Sequence, residues 1–180
     1  MAQPMSAELL IYDLKNAADP QLSPDGTTIL YTLQTLDKES KKPASQLWLR
    51  APDGSNPRQL TRTGQRNRGG RWSPDGESIA FVSDRVGKGK AGLFVLDVAR
   101  PGEAREVTRH NQELNSLAWS PDGKTIAYTT TYDPENPEET ERDKDAAPPV
   151  RVTRRYDYKW DGRGYVGEKR GQIWTVDVAS

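Results

Sequence analysis

The sequence predicts an all-β chain built as a partial β-propeller: about three four-stranded antiparallel blades, the last of them incomplete, with a short N-terminal helix in front. Three observations predict it. The pentapeptide Trp-Ser-Pro-Asp-Gly occurs at residues 72–76 and again at 119–123, and a near copy, Leu-Ser-Pro-Asp-Gly, stands at 22–26. Behind each copy the chain alternates with a period of two: Ile29, Tyr31 and Leu33; Ile79, Phe81 and Ser83; Ile126, Tyr128 and Thr130. β-Branched and aromatic residues at that period make a half-buried strand. Four short strands recurring at intervals of roughly 40–50 residues, with no helical-period segment between them, are propeller blades rather than βαβ units or an α-solenoid.

Residues 1–20 form an N-terminal extension. Ser6 is placed to cap a helix that Asp19 and Pro20 end, with Leu9, Leu10 and Leu14 as its buried side. Each Ser-Pro-Asp-Gly then reverses the chain, because Pro presets φ at the second position of a type I turn, Asp suits the third and Gly the fourth. One carboxylate per turn, in turns that belong to different blades, cannot converge on an ion, so no metal site is expected.

Third strands follow as QLWLR from Gln46, GLFVLDV from Gly92 and QIWTVDV from Gln172, and fourth strands end at Thr61 and Thr108. The blades are thus expected at 21–62, 63–110 and 111–180, the last carrying an insertion at 132–171 and stopping before its fourth strand. Trp72 and Trp119, in identical places before their turns, are expected to be inter-blade core. Three blades do not close a ring, and an open arc exposes strand edges and the apolar faces of its end blades. The expectation is an N-terminal piece of a longer protein, with closure against a second copy as the alternative.

Composition narrows the partners. Twenty-six Lys and Arg balance twenty-six Asp and Glu, so no global field draws the chain to nucleic acid or to an anionic membrane. There is no cysteine, hence no disulfide and no thiolate metal site. The N-terminus has neither a basic region nor the apolar run of a leader, and no stretch approaches the ~18 apolar residues of a membrane span, so a cytoplasmic location is expected. No cofactor is implied. The loop Gly87–Gly92 is glycine-rich and basic but lacks the strand-to-helix setting of a phosphate loop.

The insertion is the least regular stretch. Residues 132–149 are dominated by Asp and Glu and residues 151–170 by Arg and Lys. The simple reading is a solvated acidic loop followed by an edge hairpin. The sharper one is a rim element that shapes access or a subunit contact, and Arg154, Arg155, Tyr156 and Tyr158 are its candidate gating or interface residues.

The same motifs carry a family resemblance. ADPQLSPDGTTILYTL, RWSPDGESIAFVSDR and LAWSPDGKTIAYTT, together with RRYDYKWDGRGYVGEKRGQIWTVDV, resemble the N-terminal propeller of the prolyl oligopeptidase superfamily of serine peptidases, nearest its acylaminoacyl peptidase branch. The likeness covers essentially the whole chain. It implies a propeller of about seven blades that gates short or N-acylated peptides to a C-terminal α/β-hydrolase domain with a Ser, Asp and His triad. That domain is expected to be absent here: no serine stands in a Gly-x-Ser-x-Gly frame, and the lone His110 reads as a solvated loop residue. No catalytic residue is carried over, and this stretch alone is expected to hydrolyse nothing. The alternative reading is a TolB-like or free-standing propeller that binds proteins without chemistry.

Overall fold

The computed structural model describes residues 6, 9–87, 90–99, 103–140, 147, 152, 156, 159–161, 164–165 and 167–178. Three antiparallel sheets follow one another along the chain. The first holds β1 (Asn16–Leu22), β2 (Ile29–Leu36), β3 (Pro43–Arg50) and β4 (Arg58–Gln59) in sequential order. The second holds β5 (Asn67–Trp72), β6 (Ser78–Ser83), β7 (Ala91–Asp97) and β8 (Arg105–His110) in the same order. The third pairs β9 (Asn115–Trp119) with β10 (Thr125–Tyr132) and β10 with β13 (Arg170–Asp177). A two-stranded ribbon, β11 (Lys159–Trp160) with β12 (Gly164–Tyr165), lies between β10 and β13 in the chain. The sheets form an unclosed arc of blades. Among the described residues no helix is long and apolar enough to cross a membrane.

The N-terminus departs from expectation. The helix is one π-helical turn, Leu9–Asp13, and residues 16–20, expected as extension, open β1 instead. Asp19 adopts φ 52° and Pro20 has no N–H to donate, so this stretch makes a bulged strand that pairs with β2 more readily than it continues a helix. Leu10 and Leu14, expected to be buried, are 47% and 65% exposed, because so short a turn has no full apolar face to lay down. The side chain of Leu9 lies outside the described ones.

Each Ser-Pro-Asp-Gly is a closed hydrogen-bond unit. The Ser23 hydroxyl donates to Asp25 Oδ1 at 2.6 Å and accepts from the Thr28 amide at 2.9 Å, while Gly26 sits at φ 73°. Ser73, Asp75 and Gly76 repeat this arrangement, as do Ser120, Asp122 and Gly123. Consecutive turns also stack: a Cβ on Gly76 would lie 3.4 Å from Pro24 Cδ.

The core lies between blades. Ile79 and Phe81 of β6 face the first blade, packing with Leu30, Leu47, Leu49, Phe94 and Leu96. Their alternates Ala80 and Val82 face the third blade, among Leu93, Val95, Leu114, Leu117, Ile126 and Tyr128. The middle blade is therefore buried on both faces, each large side chain contributing about 1.5–3 kcal/mol of burial. Trp72 and Trp119 pack against these two clusters as expected. Leu22, which pairs with Ile29 as Trp72 pairs with Ile79, is 58% exposed, and Ile173 on the far side of the third blade is 78% exposed.

Candidate functional site

The first strands define the inner edge of the arc. β5 touches both β1 and β9, whereas β4 and β8 do not touch each other, so the sheets converge on their first strands and fan outward. Each inner strand is broken by a bulge at the same place. Asp19, Gly69 and Ser116, each three positions before Leu22, Trp72 or Trp119, adopt φ of 52°, 66° and 53°. Register shifts between Ala18 and Gln21, between Arg68 and Arg71, and on β9 between Asn115 and Ala118 mark the extra residues. A bulge turns side chains out of the ladder, here toward the inner edge.

Two arginines of the middle blade use this geometry to reach both neighbours. Arg71 Nη1 donates to Asp19 Oδ2 at 2.8 Å, a pair about one-third exposed on each side, and Gln21 Nε2 steadies the other carboxylate oxygen at 3.3 Å. Arg68 Nη1 donates to Asn115 Oδ1 at 2.9 Å, with Glu113 at 3.9 Å from Nη2. The Arg71 carbonyl in turn accepts the Trp119 indole N–H at 3.1 Å. The result is a polar lining that offers guanidinium, carboxylate and amide groups and can hold polar or charged chain segments. Among the described residues no cluster of His, Asp and Glu could hold a metal ion.

The root of the insertion is a second polar centre, and it corrects one expectation. His110 is not a solvated loop residue: it ends β8 with its side chain only 11% exposed. Its Nδ1 lies 2.7 Å from Glu139 Oε1 and its Nε2 2.9 Å from the Tyr128 hydroxyl. The imidazole also packs edge-on against Trp174. Glu139 receives the Asn111 amide as well, and its own carbonyl accepts from the Asn111 side chain. Across the root, Lys169 pairs with Asp133 at 3.1 Å.

This carboxylate–imidazole–hydroxyl chain has the order of an acyl-transfer triad but not its chemistry. Its hydroxyl is a phenol 3% exposed, and burial, with the Glu139 carboxylate adding to it, holds that phenol above its ordinary pKa. A buried, protonated tyrosine bonded to His110 is a clamp, not a nucleophile. It fixes the stretch Asp133–Thr140 to the junction of the second and third blades.

Of the candidates read from the sequence, Tyr156 is fully exposed. Arg154, Arg155 and Tyr158 lie outside the described residues. Sequence reasoning missed the inner-edge set of Asp19, Arg68, Arg71 and Asn115, because the bulge position carries Asp, Gly and Ser in turn and repeats no residue type. Counting back three from each Leu-Ser or Trp-Ser would have found it.

A stacked series of such sheets, inner edges converging and turns in register, defines a β-propeller module. The chain belongs to the TolB beta propeller domain family, whose model matches residues 7–142. It is 32% identical over 167 residues to the uncharacterized peptidase YuxL of Bacillus subtilis, which covers 92% of this chain and 25% of the relative. Its fold is similar to an acylaminoacyl peptidase solved in complex with Z-Gly-Gly-Phe-chloromethyl ketone, with TM-score 0.68, 18% identity, and coverage of 96% of this chain and 25% of that one. The Pyrococcus horikoshii acylaminoacyl peptidase gives TM-score 0.67 at 19% identity, covering 94% of this chain and 24% of that one. The chain spans about a quarter of the length of these relatives, which are peptidases matched through a propeller portion.

Proposed function

We propose that this chain is the N-terminal propeller portion of a cytoplasmic serine peptidase of acylaminoacyl or oligopeptidase type. In this reading the inner strands filter short or N-acylated peptides by size on their way to a Ser-Asp-His hydrolase domain carried elsewhere on the polypeptide. The observation that carries it is the inner-edge lining, where Arg68 and Arg71 are aimed by one repeated bulge and tied to both neighbouring blades. Such a lining is polar enough for peptide backbone and held firmly enough to set an aperture. The clamped root of the insertion supports a rim element that narrows the approach. The peptidase relatives supply the reaction class, and balanced charge gives no role to nucleic acid or membrane.

The reaction would be acyl transfer: serine attack, proton shuttling by histidine and oxyanion stabilisation by backbone N–H groups, all outside residues 1–180. Treating the intact protein with a fluorophosphonate probe tests this. Covalent labelling of one serine outside residues 1–180 is expected. An intact protein that takes up no label instead favours the second reading, a TolB-like or free-standing propeller that binds proteins without chemistry.

A further inference from the structure

A cavity of about 390 Å³ opens on the outer side of the arc, between the exit of the first blade's fourth strand and the third strand of the second blade. Its described lining includes no residue of β1, β5 or β9 and none of the insertion. Leu60, Leu96 and Val98 give it an apolar floor, and Arg58, Arg62 and Arg85 stand in its wall. Asp97 and Glu103 also line it, so that among the described residues three positive groups stand with two negative ones.

Arg85 sets this cavity apart. Its guanidinium carbon lies 4.7 Å from the Phe94 ring centroid and 5.2 Å from that of Phe81, so two aromatic rings back the cation. Its Nη2 donates to Asn67 Oδ1 at 3.1 Å and its Nε to Ser83 Oγ at 3.0 Å. Asn67 is fully buried and is itself fixed by Gln46 Oε1 at 2.9 Å and the Thr63 carbonyl at 3.1 Å. Every bonded partner of Arg85 is neutral, and among the described residues no carboxylate lies within ion-pair distance of it. Arg58 and Arg62 likewise make no ion pair there. Burial lowers the pKa of Arg85, with Glu103 and Asp84 at longer range opposing. A held, partly dehydrated guanidinium without a bonded counter-ion has unfilled capacity for an oxyanion.

We propose that this outer cavity is a binding site for a small organic anion, with a carboxylate or phosphate head seated on Arg85 and Arg62 and an apolar body lying over Leu60, Leu96 and Val98. The planar guanidinium presents its remaining N–H groups as a fork that matches two oxyanion oxygens. The cavity volume lies at the lower end of the range of small-molecule sites, which suits a ligand of a few carbons beyond its head group. The site is independent of the peptidase reading, since no residue of it belongs to the inner edge.

Titration calorimetry on the purified protein with hexanoate and with phenyl phosphate tests the site and separates the two head groups. One-site saturable binding of at least one probe is expected, the bound probe naming the head group. Arg85→Gln and Arg62→Gln should each weaken it about tenfold or more, since a hydrogen bond to a charged group is lost. Arg109→Gln, whose guanidinium pairs with Glu106 outside the cavity, should leave it unchanged. Ala104→Trp fills the cavity without removing a guanidinium and should abolish binding, so it serves if the Arg85 variant does not fold. Fluorophosphonate labelling of the intact protein should be the same in all four variants. No binding of either probe by a protein that melts cooperatively, or binding that survives the Arg62 and Ala104 variants, overturns the proposal.

Discussion

The indole N–H of Trp119 donates to the backbone carbonyl of Arg71, 3.1 Å away in the preceding blade. Trp72 makes the same bond one blade earlier, to the carbonyl of Gln21 at 3.4 Å. In both cases the acceptor immediately precedes the residue that occupies the tryptophan's own place in its blade. One indole at each of the two interfaces thus sets the spacing of the inner strands while its ring seals the cluster beneath. Trp119→Ala should cost about 3 kcal/mol, the lower end for a large aromatic because the ring is only partly buried. Trp119→Phe should cost about 1 kcal/mol, the share of the hydrogen bond. Urea unfolding of both variants measures the difference, and a Phe variant as stable as the parent would contradict the bond's role.

Adjacent glycines on β5 should respond in opposite ways. A Cβ on Gly70 would sit 2.8 Å from Leu30 Cδ2 and 3.4 Å from Leu47 Cδ1, inside the first interface. Gly70→Ala should therefore cost about 1–3 kcal/mol by overpacking. Gly69 has φ 66° but open space around it, and Asp19 and Ser116 hold the equivalent conformation. Gly69→Asn should then cost well under about 1 kcal/mol, since Asn tolerates this region. Thermal melts of the two variants give the comparison.

The three turn aspartates should make the protein acid-sensitive. Hydrogen bonds from Ser23, Ser73 and Ser120, followed by the amides of Thr27, Glu77 and Lys124, hold Asp25, Asp75 and Asp122 below the ordinary carboxylate pKa. Because the native values are lowered, the stabilisation is complete above the unfolded value of about 3.9 and is lost as pH falls through the native values. A variant with all three changed to Asn should lose stability less steeply below pH ~4 than the parent, as read by denaturant midpoints across that window.

The His110 clamp predicts local rather than global loosening. His110→Ala should speed hydrogen exchange at Asn111 and across Asp133–Thr140 while leaving the strands of the first blade unchanged. Glu139→Ala should reproduce the pattern, and the double variant should add little, because both remove one coupled contact. Additive effects would show that the two side chains act separately.

The repeat was legible because its chemistry is local. Pro and Gly in each turn and the period of two behind it state their conformations without help from the rest of the chain. The inner-edge site was not, since Asp19, Gly69 and Ser116 share a backbone conformation imposed by pairing rather than a side-chain type. His110 was misread for a related reason. Its burial comes from Trp174 and Glu139, both distant in sequence, and nothing in its own neighbourhood announces them. The N-terminal helix ends earlier than expected, at Asp13, because pairing with β2 captured residues that helix propensity had claimed.

The most direct measurement of the central claim is the peptide-length profile of the intact protein with Arg68→Ala and Asp19→Asn introduced together, which loosens the inner edge on both sides of the middle blade. If the inner strands set the aperture, kcat/KM for the longer peptides should rise severalfold while that for dipeptide-sized substrates stays the same. A profile that shifts equally at every length, or not at all, would contradict the account.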